Sequence, residues 1–339
     1  MADDLGYGDV GFNGNKVIKT PHLDEMSLTS TRFSRFYAGG PVCSPTRGTC
    51  LTGRHYSRYG ITHANQGRLP TQEITISSIA KDLGYRTGHF GKWHLGTMTI
   101  TDADSRRGGN TGNTYYSPPW IHDFDVCFST EARVPTWNPM ADPETNEPFG
   151  ASYWLGPGIK ETTNLEGDDS RIIMDRVIPF IRSAAARKEP FLAVIWFHTP
   201  HEPVVAGPEY RAMYSEYSEQ EQHYYGCITA MDQQIGRLNQ ELENLSIAEN
   251  CMTWFTSDNG PEGKTGNTGP SRGSTGGMRG RKRSLFNGGI AVPSLLSWPG
   301  HAPANQTIDI PSSTLDYLPT ITDILSYKMP DDRPIDGIS

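Results

Sequence analysis

The chain has 339 residues, enough for one large domain or two small ones. Lys and Arg number 30 against 38 Asp and Glu, a formal net charge of −8, so there is no global basic footprint for nucleic acid. No apolar run reaches membrane-spanning length. Gly (36) and Pro (25) are abundant but follow no fixed period, which excludes collagen and points to many loops between short elements.

In chain order, the first notable feature is Asp3-Asp4, an oxygen-rich pair close to Gly6. Gly39-Gly40-Pro41 then leads into Cys43-Ser44-Pro45-Thr46-Arg47, where Pro45 suits the first turn of a helix. A helix is predicted over 74–83, with Ile76, Ile79, Ala80 and Leu83 on one face and Gly84 as its stop. A strand over 85–90 opens into Gly91-Lys92-Trp93-His94-Leu95-Gly96. Residues 100–165 are polar and rich in Gly, Pro and aromatics, and read as a long excursion outside the core. A helix over 169–187 precedes a continuous apolar strand over 191–197, which ends in His198-Thr199-Pro200-His201. An amphipathic helix is predicted over 218–243, then a strand over 251–255 running into Ser257-Asp258-Asn259-Gly260. A Gly-rich loop over 260–280, a strand over 291–298 and a helix over 315–326 complete the pass. This alternation predicts an α/β fold with a central, mostly parallel sheet flanked by helices. Its polar clusters fall at C-terminal strand ends, where such sheets bind ligands.

Three groups of residues could carry chemistry. Asp3, Asp4, Asp258 and Asn259 offer three carboxylates and an amide, the donor set of a hard divalent cation, although each pair alone is an ordinary cap or turn. Cys43 would stand at a helix N-terminus with Arg47 one turn on, and both features favour negative charge at position 43. The bland alternative is a small buried thiol. Lys92, His94, His198, His201 and Lys282 lie in turns near strand ends and, with Arg47, could hold a tetrahedral anion and move its protons. The five cysteines show no CxxC pair, which removes a zinc knuckle or thioredoxin-type site. The basic run Arg279, Arg281, Lys282, Arg283 is too short to argue for nucleic acid and otherwise reads as a solvated loop.

Taken in order, these residues resemble the type I sulfatases, the arylsulfatase-like members of the alkaline phosphatase superfamily. Cys43-Ser44-Pro45-Thr46-Arg47-Gly48 with Leu51-Thr52-Gly53-Arg54 is similar to the first family signature. Gly84-Tyr85-Arg86-Thr87 through Gly91-Lys92-Trp93-His94-Leu95-Gly96 is similar to the second. Asp3-Asp4, Thr199-Pro200-His201 and Ser257-Asp258-Asn259-Gly260 match further motifs. The resemblance implies that Cys43 is oxidised to Cα-formylglycine by a separate maturation enzyme. It implies one calcium ion held by Asp3, Asp4, Asp258, Asn259 and residue 43. It gives Arg47, Lys92, His94, His201 and Lys282 sulfate-binding and proton-transfer roles, and leaves His198 structural. The implied reaction is attack of the hydrated aldehyde on the sulfur of a sulfated carbohydrate or aryl sulfate. His201 would protonate the leaving alcohol, and His94 would take the proton of the second hydroxyl.

Against the family pattern, no apolar strand precedes Asp3, and the chain stops at Ser339. The first central strand and most of a C-terminal subdomain are therefore expected to be missing from a catalytic domain spanning 1–339. Asn287 and Ala291 stand where the family commonly has Glu and Arg. Two alternatives stay open: a phosphate or phosphonate ester hydrolase of the same superfamily, and an inactive, calcium-dependent glycan-binding protein. The aromatics Tyr115, Tyr116, Trp120, Trp137, Tyr153 and Trp154 suit either sugar stacking or packing of the 100–165 segment. The resemblance also implies a periplasmic, secreted or lysosomal-type location.

Overall fold

A computed structural model describes residues 1–104, 112–263 and 272–339. Its strands are β1 Thr31–Phe33, β2 Phe36–Tyr37, β3 Arg86–Lys92, β4 Val126–Thr130, β5 Trp154–Gly156, β6 Ile159–Lys160, β7 Phe191–Trp196, β8 Thr253–Phe255, β9 Leu295–Ser297, β10 Gln306–Ile308 and β11 Ser312–Ser313. Its helices are α1 Pro21–Thr29, α2 Cys43–Thr52, α3 Tyr56–Tyr59, α4 Ile76–Asp82, α5 Asp169–Arg187, α6 Pro208–Ala212, α7 Glu219–Asn244, α8 Asn287–Ile290 and α9 Tyr317–Ile324. The predicted helices and strands are all present, with ends displaced by a few residues.

One sheet runs β6-β5-β4-β3-β7 and another β10-β1-β9-β8. β3 pairs parallel with both β4 and β7, whereas β4–β5 and β5–β6 are antiparallel. In the second sheet only β1–β10 is parallel. The sheets are thus mixed: parallel pairing holds around β3, at β1–β10 and at β2–β11, and neither larger sheet is parallel throughout. Residues Met1–Asp3 run between the two sheets. Phe197 N–H donates to Met1 O (2.9 Å) and Asp3 N–H to Thr199 O (2.9 Å) on the β7 side. On the β8 side Ala2 N–H donates to Thr256 O (2.8 Å) and Asp258 N–H to Ala2 O (3.1 Å). Below Met1 the facing edges of β7 and β8 part around an apolar slot of about 880 Å³, lined by Phe191, Ala193, Ile195, Trp254, Met174 and Ile76 among others. At one end of it Met1 N donates to Ile195 O (2.8 Å).

Local chemistry explains the helices that flank these sheets. Asp168 caps α5 by accepting the Arg171 N–H (2.9 Å), and the buried residues Ile172, Ile173, Val177, Ile178, Ile181 and Ala184 recur at helical spacing. α7 starts in a capping box between Ser218 and Glu221, and buries Tyr224, Ile228, Met231 and Ile235. α2 has no solvent face at all: every residue from Cys43 to Thr52 is buried. It stops at Gly53, whose φ of 62° suits a residue without a Cβ. The 100–165 stretch, expected to lie outside the core, supplies β4 at the heart of the first sheet, and Tyr153 and Trp154 within it are buried. Phe128 stacks on Tyr153 with ring centroids 3.9 Å apart, so at these positions aromatic content reflects packing. Residues 105–111 of that stretch, and 264–271 of the predicted Gly-rich loop, lie outside the described residues.

Candidate active site

The site is assembled where four chain segments end side by side: Asp3-Asp4 beyond the Met1–Ala2 ladder, the N-terminus of α2, the end of β3, and Asp258-Asn259 beyond β8. Gly91, with φ 98°, lets β3 pass directly under Trp196, because a Cβ there would stand 2.0 Å from Trp196 O. That contact puts Lys92 at the strand end. Asp4 (φ 66°) and His94 (φ 58°) both hold the left-handed backbone that non-glycine residues seldom adopt, and such strain gathers at functional sites.

Three carboxylates and three cations interleave there, all nearly or completely removed from water. Arg47 donates through Nε (3.1 Å) and an Nη (2.7 Å) to Asp258, and through its other Nη to Lys92 O (2.8 Å). It also lies 3.5 Å from Asp3, and its guanidinium is 5.0 Å above the Trp196 ring. Lys92 Nζ donates to Asp3 at 2.5 Å and reaches Cys43 Sγ at 3.6 Å. Lys282 Nζ donates to Asp4 at 2.7 Å and stands 3.4 Å from Glu262. Asp258 Oδ1 accepts the Asp4 N–H (3.1 Å), and Asn259 Nδ2 donates to Asp4 Oδ1 (2.7 Å).

Burial alone would raise the Asp4 carboxyl, but Lys282, His201 and Lys92 outweigh it and hold the group well below the usual range. Asp258 goes the other way, up to about 6, through burial and the neighbouring Asp3 charge. Lys282 is pushed above the usual lysine range; burial opposes this, but Asp4 prevails. His201 is pushed well below its ordinary value by burial and by Lys92 and Lys282. Its Nδ1 bonds to Glu202 O (2.7 Å), so Nδ1 carries the proton and Nε2 faces Asp4 at 3.7 Å.

Cys43 sits at the N-terminus of α2, as the sequence suggests. Its thiol is raised far above the usual range, by burial first and then by Asp258, and Arg47 is held on Asp258.

The ligand atoms of Asp3, Asp4, Cys43 and His201 lie within 4.8 Å of one another, close enough for one ion. Asn259 Oδ1 is buried without a hydrogen-bond partner, an oxygen left for a cation. Carboxylate and amide oxygens suit a hard ion such as calcium, so the residues present fit the implied metal.

His94 stands on the flank of this cluster. Its carbonyl accepts the Ser44 hydroxyl (2.6 Å), and its Nε2 meets Asn65 Oδ1 at 3.0 Å. His198 is buried behind the site, bonded to Asp169 (2.8 Å) and Thr130 (2.7 Å), where it ties the end of β7 to α5 and β4. Sequence reasoning missed Asn65 and Glu262. Asn65 offered only a turn signal, Asn-Gln-Gly, and Glu262 only its place after Gly260-Pro261.

A cluster of metal-ligating and cationic side chains at the strand ends of an α/β sheet has the composition of a site for a metal ion and an anion. The sulfatase family model matches residues 1–327, and the chain belongs to that family, with the arylsulfatase and alkaline phosphatase-superfamily fold. It is 30% identical to arylsulfatase G of Mus musculus across 99% of this chain and 66% of the relative. It is 28% identical to steryl-sulfatase of Rattus norvegicus across 99% of this chain and 68% of the relative. The chain therefore spans about two thirds of the length of these relatives. Among solved structures, Ps i-CgsB superposes with a TM-score of 0.83 at 28% identity, covering all of this chain and 73% of that one. The same protein has been crystallised with a neocarrahexaose. A phosphonate monoester hydrolase of Agrobacterium radiobacter shares the fold, with a TM-score of 0.68 at 20% identity, covering all of this chain and 75% of that one.

Proposed function

We propose that the protein hydrolyses sulfate esters, of a sulfated carbohydrate or an aryl alcohol, with calcium held by Asp3, Asp4, Asp258, Asn259 and residue 43, and with Cys43 matured to formylglycine by a separate enzyme. The charge arrangement carries this proposal. Asp3, Asp4 and Asp258 are matched by Arg47, Lys92 and Lys282 before any ion enters. A bound dication then leaves two positive charges in a water-poor site, which match one sulfate-ester monoanion and one ionised nucleophile oxygen.

When present, calcium would polarise a sulfuryl oxygen and the hydrated aldehyde at residue 43 would supply an oxygen nucleophile. The remaining roles belong to the chain's own side chains. Arg47 fixes Asp258 and the Lys92 carbonyl, so one guanidinium orients two walls of the site. Lys92, between Asp3 and residue 43, is placed to offset negative charge on the sulfuryl group and on the nucleophile. Lys282 does the same from the Asp4 side. His201 presents Nε2 to the site with Nδ1–H fixed on Glu202; Nε2 is an acceptor in the resting site and would have to take up a proton before passing it to the leaving oxygen. His94 serves as the base for the remaining hydroxyl of residue 43, held against α2 through Ser44.

The test is sulfate release from 4-nitrophenyl sulfate and from sulfated saccharides, with and without calcium, by protein made in a host that matures sulfatases. The peptide spanning residue 43 is weighed in the same preparation. The expected result is an aldehyde at 43 together with calcium-dependent release, both lost in Cys43→Ala while the folded spectrum remains. Turnover by an unmodified thiol, or faster cleavage of the matched phosphate ester, would sink the proposal.

A further inference from the structure

The loop from Lys282 to Gly289 is pinned to the site at both ends. Lys282 holds Asp4, and the Gly289 carbonyl accepts the Gly260 N–H (2.9 Å) beside Asn259. The second anchor is tight: a Cβ on Gly260 would stand 2.1 Å from Gly288 O. Arg283 N–H donates to Pro41 O (2.8 Å), two residues ahead of Cys43. Between these anchors the loop turns out to solvent. Leu285 is 72% exposed and Phe286 50% exposed. Phe286 is the sole exposed Phe or Trp among the described residues. The exposed Arg279 lays its guanidinium over the Phe286 ring, 3.9 Å from the centroid.

A single exposed apolar residue needs no explanation. Two adjacent ones with a stacked guanidinium, on a loop whose roots touch the metal-ligand candidates, do. The protein carries a net charge of −8, so a polyanion is repelled in general and needs a local cationic landing point. Arg279 supplies one in a planar, permanently charged form that pairs with sulfate or carboxylate through two parallel bonds. Its stacking on Phe286 settles the rotamer in advance, which lowers the entropy lost on binding. Arg283 is less available, because it is paired with both oxygens of Glu262 (2.6 and 3.0 Å).

We propose that Arg279, Leu285 and Phe286 form a saccharide subsite beside the reaction centre. It takes the sugar unit next to the one bearing the scissile sulfate, with the C–H face of that sugar on Leu285 and Phe286 and its own sulfate or carboxylate on Arg279. The subsite rests on the sulfatase assignment of the central site and extends it to an anionic oligosaccharide substrate.

The test compares wild type, Phe286→Ala and Arg279→Gln. Hydrolysis of 4-nitrophenyl sulfate, which has no second sugar, reports on the reaction centre alone. Binding of neocarrahexaose and of hexasaccharides from heparin and chondroitin sulfate is measured by calorimetry on the same preparations. Both variants should keep kcat/KM on the aryl sulfate within about twofold and lose about tenfold in affinity for the hexasaccharide that binds wild type best, the loss expected for one stacking or charge contact. Unchanged hexasaccharide affinity in both variants, equal losses on both substrates, or no hexasaccharide binding to wild type would each overturn the subsite. Absence of aryl sulfate hydrolysis in wild type would instead strike the assignment of the reaction, and the calorimetry would still decide the subsite.

Discussion

Replacing Arg47 with methionine keeps most of the side-chain volume and removes the charge. Asp258 then loses two charge-assisted donors, the Lys92 carbonyl loses one, and Asp3 loses a cation 3.5 Å away, all inside a site with no exposure at these side chains. Breaking one side of a buried ion pair costs about 3–5 kcal/mol, chiefly because the partner charge is stranded. Total stabilities run at about 5–15 kcal/mol, so Arg47→Met should lose about a fifth or more of the margin. Urea unfolding in chelator, followed by circular dichroism, measures this directly. A double-mutant cycle with Asp258→Asn isolates the pair: the double variant should be less destabilised than the sum of the singles by about 2 kcal/mol or more. A loss under about 1 kcal/mol for Arg47→Met, or strict additivity in the cycle, would refute the claim that this arginine offsets Asp258 in the resting site.

Two further outcomes are expected. Calcium at a hundredfold excess over its dissociation constant should stabilise the wild type by about 2.7 kcal/mol, and Asp258→Asn should lose most of that gain; an equal calcium-induced rise in Tm in both proteins would remove Asp258 from the ligand set. Asp168 is raised to about 7 by burial, so its contribution to stability is full below about pH 4 and is lost as pH rises through 7. Asp168→Asn keeps an acceptor for the Arg171 N–H and should flatten Tm over that interval and exceed wild type above it, whereas parallel Tm curves from pH 4.5 to 8.5 would contradict the sign.

The helices and strands were legible because their signals are local: Gly84 after the 76–83 face, the Ser218–Glu221 box, the apolar run at 191–197. The parallel character of the sheet was less so. β4 hides in a polar segment, and its place beside β3 depends on partners some forty residues apart in sequence. β9 pairs antiparallel with β1 and β8, which no local pattern announces. Every residue singled out for the site lies in or beside one cluster, but the motif order that located them came from likeness to a family. At Cys43 the sequence leaves two readings, a position that favours negative charge and a small buried thiol, because it does not show that Asp258 takes the neighbouring arginine or that the residue is fully buried.

The placement of Asp3 and Asp4 shows how sheet and site depend on each other. Asp3 N–H is the last rung on the β7 side, donating to Thr199 O, and Asp258 N–H closes the β8 side on Ala2 O. The two acidic segments are therefore in register through backbone bonds before their side chains meet an ion. Ser257 strengthens the same junction, accepting the Leu5 N–H (2.9 Å) and donating to Asn259 O (3.0 Å). Such a lattice holds three carboxylates close together when their mutual repulsion would part them, and Arg47, Lys92 and Lys282 neutralise what the lattice imposes. Binding of a dication must displace part of that neutralisation. Arg47 is as close to Asp258 (2.7 Å) as Lys282 is to Asp4 (2.7 Å), but it is also anchored on the Lys92 carbonyl, so Lys92 and Lys282 are the cations that would be freed toward an incoming anion. Metal occupancy and anion affinity are then linked by the same side chains, and each should raise the other.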